Sequence, residues 1–324
     1  MYKRVFIMMR TAFFILMFTS FSLLTEAKDD VIQVKIDHYQ VPVLRNEAHN
    51  PIIRFKVLTS VKIRLLSLEL DLAETTEMAD IREFSLFYGG EDSTFRTNVM
   101  KWTISNISDS SRFVLKKMLK PGDHYFWISC QLTEDAHLDN QLGVIIERMK
   151  FTRHKLVNIQ QNHDPEPFKF GLSLRRHGQD NVHTYRIPGL ATTSKGTLLA
   201  IYDVRHKYSR DLQGDIDVGL SRSTDGGNTW EPMKIIMDMG EKGGLPQKFN
   251  GIGDPCILVN GDEIMVFGLW VYGAKDEDGN WIEHLTDTSN IWNHQWEKNG
   301  SMPGLDPKQT AQFMVVKSMD DGLT

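Results

Sequence analysis

The sequence predicts an all-β protein in two parts, an N-terminal β-sandwich followed by the first part of a β-propeller. Three observations predict it. Residues 31–151 run as short alternating segments without helical periodicity, a polar proline-bearing stretch follows them, and a turn motif of fixed spacing occurs twice in the remainder.

Length and composition set the frame. The chain has 324 residues, a formal net charge of −5 and 41% hydrophobic residues, which suits a globular protein of about two domains. The acidic balance speaks against nucleic acid or an anionic membrane surface as partner, since both select basic faces. Cys130 and Cys256 are the only cysteines, too few for a disulfide framework or a cysteine zinc site.

Residues 1–27 differ from the rest. Lys3, Arg4 and Arg10 precede an uncharged run from Thr11 to Thr25, then Glu26 and Ala27. A basic start, a short apolar run and a small residue before the cut describe a cleavable secretory signal peptide. The run is shorter than the roughly 20 residues that span a bilayer, so no membrane span is expected after cleavage and the protein is expected to be secreted or periplasmic.

The sandwich is expected over 28–157. Its strands read as Val31–Ile36, Ile52–Leu58, Val61–Leu70, Ile81–Tyr88, Val99–Ile104, Arg112–Leu119, His124–Leu132 and Leu142–Phe151. Val61, Ile63 and Leu65 alternate with Lys62 and Arg64, the period of two that gives one buried and one wet face. Gly89-Gly90 and Pro121-Gly122-Asp123 supply turns. Trp102, Tyr125, Phe126 and Trp127 suit a sandwich interior better than a sugar platform. Residues 158–170, with His163-Asp164-Pro165-Glu166-Pro167, read as a linker.

In the second part, 171–324, Ser223-Thr224-Asp225-Gly226-Gly227-Asn228-Thr229-Trp230 fits S-x-D-x-G-x-T-W, and Ser318-Met319-Asp320-Asp321-Gly322-Leu323-Thr324 fits its first seven positions. Each follows a strand, so each is a hairpin turn whose Ser and Asp oxygens accept backbone N–H bonds while glycine relieves the tight backbone. This is the Asp box, a folding motif in which Ser223, Asp225, Gly227, Thr229 and Trp230 are structural. Repetition of a strand, turn and tryptophan unit indicates a propeller. The second copy stops one residue short of its tryptophan, so the sequence reads as continuing beyond Thr324.

Upstream of the first box lies Tyr185-Arg186-Ile187-Pro188-Gly189-Leu190, then Tyr202-Asp203-Val204-Arg205; between the boxes lies Gly251-Ile252-Gly253-Asp254-Pro255. Arg-Ile-Pro, Asp-x-Arg and an Asp box at this spacing resemble bacterial exo-sialidases of the secreted Bacteroides type, across 171–324. The resemblance implies a six-bladed propeller of which the first two blades are present. It implies retaining hydrolysis of terminal α-linked sialic acids on glycoproteins, gangliosides and oligosaccharides, with no cofactor.

The residues suit that reaction. Sialic acid carries a carboxylate at its anomeric carbon, and guanidinium matches a carboxylate with two parallel donors and a permanent charge. The resemblance makes Arg186 the first of three clamping arginines. It makes Asp211, in the loop Arg205–Asp215, the acid/base that protonates the leaving oxygen and then activates water. Asp215 and Asp217 are the local alternatives, placed where an aspartate caps a strand or faces solvent, and His206 beside Lys207 is expected in solvent. The resemblance pairs Arg205 with Asp254 on a sugar hydroxyl; a salt bridge for the one and a turn before Pro255 for the other remain open. Trp270, Trp281, Trp292 and Trp296 stand in or beside an aromatic-rich insertion that either walls the site or covers a core edge.

A carboxylate nucleophile would be repelled by the substrate carboxylate, and sialidases use tyrosine instead. The tyrosine, its glutamate partner and the other two arginines lie in later blades of the family and match nothing here, so this stretch alone is expected to be inactive. Asp276-Glu277-Asp278-Gly279-Asn280 fails EF-hand spacing and reads as a turn. The histidines show no metal-ligand spacing, so no metal is expected. A sialoglycan-binding propeller without catalysis and a trans-sialidase are the alternative readings.

Overall fold

The computed structural model describes residues 32–152, 156–159, 165–210, 214–276, 278–286, 288–289 and 312–324. The expected signal peptide, Asp211, Trp292 and Trp296 lie outside the described residues. No α-helix occurs among the described residues.

The first module contains β1 (Ile32–His38), β2 (Val43–Arg45), β3 (Asn50–Thr59), β4 (Ile63–Asp71), β5 (Ile81–Gly90) and β6 (Met100–Ile104). It continues with β7 (Ser110–Leu119), β8 (Gly122–Leu132), β9 (Gln141–Leu142), β10 (Ile145–Phe151), β11 (Leu156–Asn158) and β12 (Phe168–Leu172). One antiparallel sheet has the order β1-β3-β8-β5-β6 and a second the order β11-β10-β4-β7. Alternation decides which face each strand buries. On β7, Ser111, Phe113 and Leu115 are buried while Arg112 and Val114 are exposed. Phe55 of β3 and Phe126 of β8 stack with ring centres 4.8 Å apart inside the core.

A small sheet of order β2-β12-β9 closes one end. Strand β12 begins inside the stretch that reads as a linker. Its Phe168 and Phe170, two residues apart and hence on one face, are buried in the sandwich core.

The second module holds β13 (Thr184–Thr192), β14 (Leu198–Arg205), β15 (Ile216–Ser223) and β16 (Lys234–Met237), an antiparallel four-stranded blade in chain order. Strands β17 (Asn250–Asn260), β18 (Glu263–Tyr272) and β19 (Gln312–Ser318) form a second antiparallel unit. The two units meet through a single parallel pair, Ile216 with Gly251. A Cβ on Gly251 would run into the Gly214 carbonyl oxygen and come within 3.0 Å of the Ile216 nitrogen, so glycine permits the approach. Leu199, Ile201, Val218, Ile252, Val266 and Trp270 share the core between them. The sheets do not close into a ring among the described residues.

The two motif turns fold alike. Gly227 donates its N–H to Ser223 Oγ at 2.9 Å and Thr229 its N–H to Asp225 Oδ1 at 2.9 Å; Gly322 donates to Ser318 Oγ at 3.0 Å and Thr324 to Asp320 Oδ1 at 2.9 Å. The hydroxyls of Ser223 and Thr229 also donate to Asp225, and these bonds to Thr229 and Ser223 hold its carboxyl down at about 2. Trp230 is half-buried and donates Nε1–H to the Gly227 carbonyl at 2.9 Å, capping its own turn.

Sandwich and first blade touch through arginines. Arg45 donates to the Asn228 carbonyl, and Arg176 reaches Glu47 at 3.1 Å and the Asn46 carbonyl at 3.1 Å. A cleft of about 1090 Å³ lies between them, lined by Arg45, Glu134, Arg175, Trp230 and Glu231 among others, and by none of Arg186, Asp203, Arg205 or Asp254.

Candidate active site

The site is built on two bulges that share a construction. On β13 the ladder to β14 breaks between Arg186 and Gly189; on β17 the ladder to β18 breaks between Gly253 and Cys256. Each break holds a proline, Pro188 or Pro255, which has no N–H to give a ladder. In each, the residue ahead of the proline is left-handed: Ile187 at φ 54° and Asp254 at φ 51°. That conformation costs on the order of 1–3 kcal/mol, more pointedly for a β-branched residue and for one preceding proline, which favours extended backbone. Such strain persists only where surrounding packing imposes it. At the first bulge, a Cβ on Gly189 would come within 2.9 Å of Ile201 Cγ1, so glycine lets the strands stay in contact beyond the break.

Arg186 is exposed at the first bulge, and its side chain makes no hydrogen bond or ion pair among the described residues. Its guanidinium is therefore open to an anion from outside. It pairs through its backbone position with Asp203 of β14.

Asp203 is the hub of the site, a role that no motif in the sequence marks. Its side chain is 1% exposed. Oδ2 accepts from Arg205 Nε at 3.0 Å and Nη2 at 2.7 Å, while Oδ1 accepts the Asp254 N–H at 2.9 Å. Burial pushes its carboxyl up to about 6, against the opposing pull of Arg205. A Cβ on Gly253 would sit 3.2 Å from Asp203 Oδ1, so glycine seats the carboxylate against β17. The signal that finds Asp203 is its spacing from Arg205: residues i and i+2 of a strand share a face.

Arg205 is likewise 1% exposed and gives Nη1–H to the Ser209 carbonyl at 2.6 Å. The salt bridge that remains open for it in the sequence is present, and it fixes Asp254 through Asp203. Asp254 is half-buried at the second bulge.

Asp211 lies outside the described residues, but the loop's flanks are described. Arg210 is 4% exposed and donates to the carbonyls of Thr286 and Ser289. His206 and Asp217 depart from expectation. His206 is half-buried with Nε2 2.8 Å from Asp217 Oδ2, and Asp217 is 5% exposed rather than facing solvent. The reason is register: Val204 pairs with Asp217 across β14 and β15, so the residue after Arg205 folds back over the strand start. The hydrogen bond that His206 donates to Asp217 holds its imidazole above the ordinary range, and burial pushes the Asp217 carboxyl up.

Trp270 does not wall the site. It is 2% exposed in the blade core and donates Nε1–H to Asn250 Oδ1 at 2.7 Å. Trp281 stacks on Phe249 at 4.7 Å. The Asp276 to Asn280 segment is a turn, with Asn280 N–H donating to Asp276 Oδ1 at 2.7 Å.

Known proteins place this architecture. Residues 31–155 match the family described as the N-terminal domain of BNR-repeat neuraminidase. The chain is 32% identical over 315 residues to a sialidase of Bacteroides fragilis (strain YCH46), covering 88% of this chain and 54% of that protein. A sialidase of Paraclostridium sordellii is 31% identical over 132 residues, 40% of this chain and 30% of that one. The solved structure of Hadza microbial sialidase Hz136 matches with a TM-score of 0.73 at 30% identity, covering 89% of this chain and 57% of that chain. This chain thus spans about half the length of the relatives it matches along most of its own. The chain is a relative of the bacterial sialidases, with an N-terminal domain of the BNR-repeat neuraminidase kind joined to propeller blades.

Proposed function

We propose that the protein is an exo-α-sialidase that removes terminal α-linked sialic acids from glycoproteins, glycolipids and oligosaccharides with retention. The observation that carries this is Arg186: a solvent-facing guanidinium without a partner among the described residues, held on a strained bulge in a chain related to sialidases. An arginine placed beside a strained backbone position, with no side-chain partner among the described residues, suits an anionic ligand.

In this reading Arg186 takes the sialic acid carboxylate bidentately. Asp254, its backbone held by Asp203, receives a sugar hydroxyl, and Arg205 acts with it by holding Asp203 in place. Asp211 protonates the departing oxygen and later activates water. The buried Asp203 to Arg205 pair keeps the floor of the site rigid, which matters because a misplaced contact weakens transition-state binding steeply. Export through the signal peptide would bring the enzyme to glycans outside the cell.

The test uses protein made from its complete reading frame and a fluorogenic α-sialoside. Cleavage, with Asp211→Ala slowing kcat by about 100-fold or more, supports the reading. An unchanged rate in Asp211→Ala removes that residue from the acid/base role, and saturable sialoside binding without any cleavage replaces the hydrolase with a glycan-binding propeller.

A further inference from the structure

We propose that His206, Asp215 and Asp217 bind one divalent cation of the zinc class at the base of the loop joining β14 to β15. One ligand atom from each of the three lies within 4.8 Å of the others. Two of the carboxylate oxygens, Asp215 Oδ1 and Asp217 Oδ1, are buried and accept no hydrogen bond. Asp217 is only 5% exposed, so its vacant oxygen is a charged acceptor shut off from water. A buried acceptor left unsatisfied costs about 1–3 kcal/mol, and more when charged. His206 bonds the other Asp217 oxygen, Oδ2, and leaves both vacant oxygens unsatisfied. Asp238 adds a further negative charge beside Asp217. Concentrated carboxylates with vacant lone pairs and an adjacent imidazole are what a cation would neutralise.

The donor set selects the ion. Calcium takes six to eight oxygens and magnesium keeps an octahedral, largely aqueous shell. One imidazole nitrogen and two carboxylate oxygens, with a fourth place for water, is a zinc-type set. Ligands about 2.0–2.2 Å from a tetrahedral ion stand roughly 3.3 Å apart. The cluster meets that spacing with side-chain adjustments of the order of an ångström.

Topology gives the cation a task. His206 ends one arm of the loop, Asp215 and Asp217 begin the other, and the backbone already joins them through His206 N–H to the Asp215 carbonyl at 3.2 Å. A bound ion would clip the two arms together where the loop leaves β14 and enters β15. That this steadies Asp211 rests on the proposed sialidase reading; the cation site itself does not. The ligands sit nine and two residues apart in sequence, a spacing with no motif, and they converge only once the strands pair.

The experiment strips untagged protein with EDTA, dialyses the chelator away and titrates zinc chloride by calorimetry, with manganese and calcium chloride in parallel. One saturable equivalent of zinc, tighter than calcium by at least tenfold and weakened about 100-fold or more by Asp217→Asn, is expected, together with a zinc-dependent rise in melting temperature that the variant lacks. No saturable zinc binding, or equal affinity in the variant, overturns the site; calcium binding more tightly than zinc overturns the assigned ion. Asp215 is less buried, so Asp215→Asn provides the same comparison if Asp217→Asn shows no cooperative melt. Zinc binding in protein that cleaves no sialoside refutes the enzyme reading alone, and cleavage without zinc binding refutes the clip alone.

Discussion

The carboxylate of Asp203 accepts the backbone N–H of Asp254 at 2.9 Å, tying the second blade's bulge to the first blade through one buried oxygen. Its other oxygen is held by both Arg205 Nε and Nη2. A single buried side chain thus sets Asp254, which is proposed to meet substrate, against Arg205.

Removing it should be costly. Asp203→Ala leaves the Arg205 guanidinium buried and without its carboxylate, which typically costs about 3–5 kcal/mol. Urea unfolding checks this. The double variant Asp203→Ala with Arg205→Met should recover part of the loss, because the buried charge that Asp203 balanced is gone.

The glycines beside the site make a graded prediction. At Gly251 an added Cβ runs into the Gly214 carbonyl oxygen and the Ile216 nitrogen, both backbone atoms, whereas at Gly253 it meets the Asp203 carboxylate at 3.2 Å. Gly251→Ala should therefore destabilise by about 3 kcal/mol or more, and Gly253→Ala by about 1–2 kcal/mol. Thermal melts of the two variants give the order directly. Gly253→Ala should also displace Asp203 and reduce sialoside turnover more than its stability loss implies.

Much of the architecture is legible in the sequence because alternation is a local signal. Every one of the eight strands read from residues 31–151 has a counterpart, from β1 to β10. Strands β2, β9, β11 and β12 escape because two to five residues cannot show a period; tertiary pairing makes them, as Phe170 with Val43 does for β12. The site is less legible. Arg186 and Asp254 stand out through the Arg-Ile-Pro and Asp-Pro stretches that hold them, yet the left-handed backbone of Ile187 and of Asp254 is a consequence of packing. Asp203 and the His206 to Asp217 contact emerge only with strand register.

The Asp225 turn predicts a pH dependence. Its folded carboxyl sits at about 2, below the ordinary unfolded value near 3.9, because Thr229 and Ser223 donate to it. A depressed acid contributes stability that is complete above the unfolded value and disappears as pH falls from about 4 toward 2. Wild-type protein should lose melting temperature across that window, and Asp225→Asn should show a shallower loss from a lower starting point. Melting curves between pH 2 and pH 6 measure both.

The central claim is that Arg186 binds the substrate carboxylate. Steady-state hydrolysis of a fluorogenic α-sialoside by the complete protein and by Arg186→Ala, with melting temperatures to confirm equal folding, tests it most directly. Loss of a bidentate charged contact worth about 3 kcal/mol predicts a fall in kcat/KM of about 100-fold or more, partly restored by Arg186→Lys. An Arg186→Ala enzyme with wild-type kcat/KM would contradict the account.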